Sequence, residues 1–466
     1  MDTVIKFGTD GWRAVMNDTF ILPNVRIVAQ AIADYLIEEN LQDKGVIIGY
    51  DTRFFAEQFA NECASVMLGN DIPVYMPSRA MPTPITAYSI KIYNTAGAIM
   101  LTASHNPPEY NGIKFIPEYA GPASPEITGR IEKHISSIQE SGRILTSPLD
   151  GNGKLRKAEP FPKYIEHITN LVDFEKLREA RLKLVLDPMY GAAQGLMDVL
   201  LAEAGCSVET IHNYRDVLFG GSYPDPSERH LAELKDEVIK IKADMGLALD
   251  GDADRFGVVD YDGTYLTANQ VLSLVAVQLL KNRGMKGILV RTIATTHLLD
   301  RIAEAFGTEV VEVPVGFKYI AQVMMQRQVV LGGEESGGLS IQGHIPEKDG
   351  LLADLLLAEI VAHEQKPLTE IMEDIYSTYG RFYTQRIDVH ITQERKDELL
   401  KSLKESPPRE LVGDKVVDIK TIDGVKLVLE SGDWVLVRPS GTEPLIRIYS
   451  ESKEKDRFKD IASLLM

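Results

Sequence analysis

Gly45-Val46-Ile47-Ile48-Gly49-Tyr50-Asp51 is an apolar run of strand length that ends in a polar turn. It leads into a helical pattern from Ala56 to Leu68, and a second helical pattern precedes it, with Val25, Val28, Ala31, Ile32, Tyr35 and Leu36 at helical spacing. An apolar strand is expected at Ile72 to Tyr75. A helix opened by prolines follows at Pro82 to Tyr93, and a buried strand at Ala96 to Thr102. This alternation predicts a parallel sheet with helices on both faces. The opening phrase recurs as Leu184-Val185-Leu186-Asp187-Pro188 and as Ile288-Leu289-Val290-Arg291-Thr292, each ahead of a helical pattern. Three such openings, about one domain length apart, predict three related α/β domains.

Boundaries are expected at the Gly/Pro-rich stretch Pro148 to Lys154, just after Arg255, and near Tyr379-Gly380. They divide the chain into residues 1–152, 153–257, 258–378 and 379–466. The last segment reads differently, with strands at Arg381 to Val389, Lys426 to Leu429, Trp434 to Val437 and Leu445 to Tyr449. Helical patterns lie between and after them, so a smaller α+β domain is expected. A chain of 466 residues suits three or four domains of roughly 100–200 residues each.

The composition, 44% hydrophobic and 25% charged, is that of a globular protein with a sizeable core. The net charge of −18 disfavours nucleic acid and anionic membranes as partners, because both select basic surfaces. Small anions need only a local basic pocket and remain open. Cys63 and Cys206 lie far apart and read as two buried thiols in a reducing compartment. The start, Met1 to Lys6, lacks a basic stretch followed by an apolar one. The most apolar runs, such as Val271 to Leu280, fall short of the roughly 20 residues that span a bilayer. A cytoplasmic protein is the expectation.

Asp250-Gly251-Asp252-Ala253-Asp254-Arg255 follows the apolar run Met245 to Leu249. Three carboxylates would then share one turn at the carboxyl edge of a strand, where ligands of open α/β sheets sit. Two carboxylates about 4 Å apart repel by about 4 kcal/mol at an effective dielectric near 20, so three converging ones need protons or a cation. All-oxygen ligands select a hard ion, Mg2+ or Ca2+. A calcium EF-hand fails on spacing, since Arg255 and Tyr261 stand where Gly and Glu are required. A haloacid-dehalogenase-like phosphatase would use Asp250 as nucleophile but expects Thr or Val in place of Asp254.

Ser104 stands where the Ala96 to Thr102 strand ends, in Thr102-Ala103-Ser104-His105-Asn106-Pro107. In isolation it reads as a turn residue. The sequence contains no G-x-S-x-G elbow, no Walker A motif and no G-x-G-x-x-G. Serine-hydrolase chemistry and common nucleotide binding therefore have no support. Arg438-Pro439-Ser440-Gly441-Thr442-Glu443-Pro444 joins two strands; its Arg, hydroxyls and backbone N–H groups suit a phosphate. Gly332 to Gly338 frames Glu334, Glu335 and Ser336, residue types that bind sugar hydroxyls.

Together these stretches resemble the α-D-phosphohexomutase superfamily, the phosphoglucomutases and phosphomannomutases. Eight matches run in order along nearly the whole chain. They are Phe7-Gly8-Thr9-Asp10-Gly11-Trp12-Arg13, Pro82-Thr83-Pro84, Thr102 to Pro107, Asn111-Gly112-Ile113-Lys114, Asp250 to Arg255, Gly316-Phe317-Lys318, Gly333 to Gly338, and Arg438 to Pro444. Ala14 departs from the Gly that many relatives carry there.

The resemblance implies three α/β domains and a smaller α+β domain around a central cleft. It implies a phosphoserine at Ser104 whose phosphate completes a Mg2+ site made by Asp250, Asp252 and Asp254. Lys114, with Arg13 and His105, would handle protons and charge at the reacting oxygens. Glu334 and Ser336 would hold sugar hydroxyls, while Arg438, Ser440, Gly441, Thr442 and Arg447 would bind the phosphate that is not transferred. Arg255, Gly316, Lys318 and Lys348 complete the implied substrate site.

The implied reaction converts hexose 1-phosphate to hexose 6-phosphate through a hexose 1,6-bisphosphate, with glucose 1,6-bisphosphate as activator. The loop Gly-Glu-Glu-Ser-Gly-Gly lies closer to phosphoglucomutases than to the Gly-Glu-Met-Ser-Gly-His of dual mannose/glucose enzymes. It also lacks the Gln that phosphoglucosamine mutases carry at Glu335, so glucose is favoured. A glucose 1,6-bisphosphate synthase would use the same residues and stands as the alternative, ahead of a phosphoglucosamine mutase or an idle sugar-phosphate sensor. The implied partners are small hexose phosphates, with the chain as monomer or homodimer.

Overall fold

The computed structural model describes residues 5–8, 11–439 and 445–465. The contacts divide the chain into two compact units, Met1–Ala268 with Ser336–Thr369, and Asn269–Glu335 with Glu370–Met466.

The first unit opens with β1 (Trp12–Val15), β2 (Val46–Tyr50), β3 (Val74–Pro77), β4 (Gly97–Leu101), β5 (Tyr110–Pro117) and β6 (Leu155–Ala158). They form one sheet in the order β1-β5-β4-β2-β3-β6. Every residue of β2 and β4 is buried, so both faces of the sheet are covered. As the alternation predicts, β2, β3, β4 and β6 run parallel. The sheet as a whole is mixed, however, because β5 returns antiparallel to β4 and β1 lies antiparallel to β5. The connection from β4 to β5 is too short for a parallel crossover, which needs a dozen or more residues.

Two expectations shift here. The strand expected at Ile72 to Tyr75 begins at Val74, because Ile72 N still donates to Met67 O at 3.0 Å and closes the preceding helix. The first sheet also runs past the boundary expected at residue 152, since β6 pairs with β3.

A second sheet holds β7 (Lys183–Asp187), β8 (Ser207–Thr210), β9 (Met245–Leu249), β10 (Phe256–Asp260) and β11 (Tyr265–Leu266) in the order β11-β10-β9-β7-β8. The chain turns through residues 250–255 and pairs straight back as β10 on β9. The boundary expected after residue 257 therefore cuts a strand. The strand Gly338–Ile341 and the helix Gly350–Glu364, buried along most of its length, also belong to this unit. Cys63 and Cys206 are both buried free thiols.

In the second unit, Ile288–Thr292, Val310–Val313 and Val329–Glu334 are parallel strands. The last domain is the expected α+β unit. Its six strands run Tyr383–His390, Leu445–Ser452, Trp434–Pro439, Val425–Leu429, Asp414–Lys420 and Glu410–Leu411 across one antiparallel sheet. No helix among the described residues is long and apolar enough to cross a membrane.

A buried cation sits inside this second unit. Lys426 Nζ donates to Ile293 O at 2.8 Å and lies 3.3 Å from Glu312 and 3.9 Å from the centre of the Trp434 ring. Burial, followed by the charge of Arg291, pulls its pKa down to about 7. The folded unit thus binds fewer protons than the unfolded chain between about pH 7 and pH 10, so this residue makes stability rise with pH there. Lys426→Met leaves Glu312 paired with Arg291 at 2.6 Å and Lys420 at 2.8 Å. Urea unfolding followed by tryptophan fluorescence should therefore show the wild type gaining on the variant between pH 7 and pH 9.5, by roughly 4 kcal/mol at most. Parallel pH curves would contradict this.

Candidate active site

Parallel neighbours β2 and β4 end at the same edge of the first sheet, which places Asp51 beside Thr102. Thr102 Oγ1 donates to Asp51 Oδ2 at 2.6 Å and accepts from Ser104 N at 2.8 Å. Ser104 itself is buried and adopts a left-handed backbone with φ of 51°. That conformation costs a non-glycine residue about 1 kcal/mol and persists only where surrounding contacts enforce it. Its Oγ donates to Asp250 Oδ2 at 2.8 Å and lies 3.3 Å from His105 Nδ1.

Asp250 comes from the edge of the second sheet, where β9 ends. Gly251 lets the two loops meet, since a Cβ there would stand only 2.8 Å from Ser104 O. Asp250, Asp252 and Asp254 are buried, each offering one oxygen within 4.8 Å of the others. Asp250 Oδ1 accepts from the N–H groups of Asp254 and Arg255 at 3.0 and 3.1 Å. Burial, then the charges of Asp252 and Asp254, push the Asp250 carboxyl well above the usual carboxylate range. Burial would raise Asp252 too, but the charge of Lys114 and a hydrogen bond from Thr83 hold it below that range. Asp252 Oδ1 and Asp254 Oδ1 are buried and have no hydrogen-bond partner among the described residues. Such orphaned acceptors are rare, and a hard cation would satisfy both.

Cations gather around the triad. Lys114, on β5, donates to Asp252 at 2.9 Å and to Asp254 at 3.0 Å. Lys348 Nζ stands 3.0 Å from Glu347 and 3.4 Å from Asp254. Its neighbour Asp349 is fixed by Tyr164 at 2.7 Å and by His344 at 2.9 Å. Arg255 Nη1 donates to His105 Nδ1 at 2.8 Å, and Arg13 Nη1 to Asn106 Oδ1 at 2.8 Å. The charge of Arg255, burial and then Arg13 hold His105 well below its ordinary pKa, so its imidazole is neutral. The structure thus brings Ser104, His105, Lys114, Arg13, Arg255, Lys348 and the three aspartates together within one unit.

The second unit carries most of the remaining expected residues. Gly316 has φ of 125° and opens the helix Phe317–Gln326, with Lys318 half-buried in its first turn. Glu334 is buried at the end of its strand. Ser336 belongs to the first unit and is exposed. Arg438 and Arg447 face each other across neighbouring strands, and Arg438 Nε donates to Asp423 Oδ2 at 2.7 Å. Asp423 Oδ2 also accepts from Val315 N at 3.0 Å, which ties the Arg438 turn to the loop ahead of Gly316. Ser440, Gly441 and Thr442 lie outside the described residues, as do Thr9 and Asp10.

Sequence reasoning gave no role to Thr83, Asp51, Arg53 or Asp423. Thr83 Oγ1 donates to Asp252 Oδ2 at 2.6 Å. Its signal was available, in Pro82-Thr83-Pro84 at a helix start. For Asp51 and Arg53 the signal was a charged pair directly after a fully buried strand.

Models of the phosphoglucomutase/phosphomannomutase family match the chain along its length. The alpha/beta/alpha domain I model covers residues 4–142, domain II 162–263, domain III 267–379 and the C-terminal domain 389–466. A Thermococcus kodakarensis protein named "Phosphoglucomutase/phosphomannomutase" is 33% identical over 458 residues, 98% of this chain and 97% of that protein. Another from the same organism, named "Probable phosphoglucosamine mutase", is 32% identical over 456 residues, 98% and 96% of the two. The crystal structure of a "putative phosphomannomutase" from Thermus thermophilus superposes with a TM-score of 0.86 at 31% identity over 100% of both chains. Three α/β/α domains and a C-terminal domain, with a buried carboxylate triad beside a serine, define a phosphohexomutase. This chain belongs to the phosphoglucomutase/phosphomannomutase family, whose members are isomerase-type phosphotransferases of carbohydrate metabolism.

Proposed function

We propose that this enzyme interconverts glucose 1-phosphate and glucose 6-phosphate, with Ser104 as the phosphoryl carrier. The observation that carries this reading is the 2.8 Å hydrogen bond from Ser104 Oγ to Asp250, inside a triad with two orphaned oxygens. Asp250, Asp252 and Asp254 would hold Mg2+ together with an oxygen on Ser104. Mg2+ bound there neutralises charge on the transferring group.

Phosphoserine 104 loses its phosphoryl group as the Oγ–P bond breaks and a bond forms to the free sugar hydroxyl. The hydroxyl proton is given up, and Ser104 Oγ regains one. In the return step Ser104 Oγ gives up its proton and bonds to the other phosphorus of the bisphosphate, the sugar O–P bond breaks, and the released sugar oxygen takes up a proton. Lys114 and Arg255 supply fixed positive charge at the reacting oxygens, as positioning and charge neutralisation dominate such transfers. His105, held neutral by Arg255, stands 3.3 Å from Ser104 Oγ without adding a charge. Arg438, Arg447, Ser440, Gly441 and Thr442 hold the phosphate that stays, and Glu334 and Ser336 hold sugar hydroxyls.

Relatives named as probable phosphoglucosamine mutases favour glucosamine phosphates as a second reading. Against it, this chain carries Glu335 where the resemblance places Gln in phosphoglucosamine mutases, and its Oε2 accepts from the Thr292 hydroxyl at 2.7 Å. The test supplies Mg2+, a trace of glucose 1,6-bisphosphate, and glucose, mannose or glucosamine 1-phosphate in separate reactions. Highest kcat/KM on glucose 1-phosphate supports the proposal, and highest on glucosamine 1-phosphate supports the second reading. Accumulating bisphosphate would identify a synthase, and no conversion of any hexose phosphate would overturn both readings.

A further inference from the structure

Arg53 is fully buried, yet its guanidinium is spent on one loop. Nη1 donates to Pro107 O at 2.7 Å and Tyr110 O at 3.1 Å. Nη2 donates to Ser104 O and Asn106 O, both at 2.6 Å. Four terminal N–H groups thus meet four carbonyls of the loop that bears Ser104. Nε lies 3.2 Å from Asp51 Oδ2, the oxygen that also accepts from Thr102, and Thr102 in turn accepts from Ser104 N. Arg53, Asp51 and Thr102 therefore hold Ser104 at both its carbonyl and its N–H.

From its other side Arg53 is braced by residues of the second α/β domain. The Phe219 ring lies 5.0 Å away, and Arg215 donates to Arg53 O at 3.3 Å and to Thr52 O at 3.1 Å.

We propose that Arg53 is the positioning residue that holds the Ser104 loop in the conformation that accepts and delivers the phosphoryl group. The inference rests on Ser104 being the carrier. Burying a guanidinium is costly unless its donors are matched; here the four acceptors of its terminal nitrogens all belong to the turn that carries the nucleophile, while Nε forms an ion pair with Asp51. Ser104 sits in a left-handed conformation that its own side chain does not favour, so something outside the loop must hold it there. Turning the carbonyls of residues 104, 106, 107 and 110 onto one cation does this. A lysine cannot replace the planar fork, because one ammonium cannot reach four carbonyls arranged around two nitrogens. Arg53 bonds to none of the candidate reacting oxygens, so its effect should appear in the transfer step rather than in sugar-phosphate binding.

The test compares Arg53→Lys and Arg53→Ala with the wild type as full-length, Mg2+-loaded enzymes. Phosphoryl uptake from glucose 1,6-bisphosphate is followed by intact mass, and kcat and KM are measured for glucose 1-phosphate. Arg53→Lys is expected to lose about 100-fold in kcat with KM changed by less than about threefold, since a displacement of the order of 1 Å costs that much. In Arg53→Ala, guanidinium at a non-denaturing concentration is expected to restore part of the lost kcat, while ammonium at equal ionic strength does not. Wild-type kcat in Arg53→Lys would overturn the inference. So would a loss that merely follows the unfolded fraction in a melting curve, with the folded fraction turning over at the wild-type rate. A wild type that takes up no phosphoryl group on Ser104 overturns the carrier reading itself, and this inference with it.

Discussion

Ser104→Ala is expected to reduce conversion of glucose 1-phosphate by at least about 10,000-fold, because no neighbouring hydroxyl can substitute as carrier. The Thr102 hydroxyl is committed to Asp51 and to the backbone N–H of Ser104 itself, and the Thr83 hydroxyl to Asp252. The variant should fold, since Ala meets the same backbone demand as Ser and loses only one hydrogen bond, worth about 1–2 kcal/mol. Incubation of the wild type with glucose 1,6-bisphosphate adds one phosphoryl group by intact mass, and the variant adds none. Binding of glucose 6-phosphate by calorimetry should change by less than about fivefold, as the groups proposed to grip the sugar and its distal phosphate remain. Activity retained by the variant would remove Ser104 from the chemistry and return it to the turn residue it resembles in isolation.

The fold was legible where periodicity and apolarity agree. β2, β4 and the helix Ala56–Gly69 stand within a residue of their expected ends because uninterrupted burial leaves little choice of register. β5 was not legible as a strand. Tyr110-Asn111-Gly112-Ile113-Lys114 reads as a polar turn, and its strand character comes from hydrogen bonds with β4 on one side and β1 on the other. Non-local pairing also carries the first sheet past residue 152. Gly and Pro at residues 148–154 mark a loop, but a loop ends a domain only when no later strand returns to the sheet, and β6 does return.

The candidate site divides along a similar line. Residues that carry chemistry lie in compact motifs and can be read directly, as with Asp250, Asp252 and Asp254. Residues that hold them in place come from distant sequence. Thr83 is 169 positions from the Asp252 it supports, and Arg53 is 51 positions from Ser104. One sequence can mark such a residue by its local motif, but it does not show which distant partner the residue meets. For the same reason Lys114 was readable as a charge near the reaction but not as the internal counter-ion of the triad.

That counter-ion is incomplete, which sets the expected behaviour of Asp250→Asn. Carboxylate oxygens within 4.8 Å repel by about 3 kcal/mol per pair at an effective dielectric near 20. Asp252 and Asp254 are offset by direct ion pairs with Lys114, whereas Asp250 receives hydrogen bonds from Ser104 and two backbone N–H groups, and the charge of Arg255 offsets its burial in part. Its carboxyl lies well above the usual range, so the folded state binds its proton more tightly than the unfolded chain does. Without metal, this group therefore makes stability fall as pH rises above its unfolded value near 4. Asn keeps the shape: its Oδ1 can accept from the same two N–H groups, and its amide can donate to Ser104 Oγ. In EDTA at neutral pH, Asp250→Asn should consequently melt at or above the wild-type temperature, by an amount equivalent to about 1 kcal/mol. Added Mg2+ reverses the order. At a concentration near 100 times its dissociation constant it stabilises the wild type by about 2.7 kcal/mol, and the variant by much less. Turnover of the variant should fall by about 1,000-fold, because charge neutralisation at the transferring group is lost while the fold is kept. Melting curves with and without Mg2+, read beside kcat, separate these effects. A variant that melts lower than the wild type in EDTA yet responds equally to Mg2+ would show that Asp250 supports the fold rather than the metal.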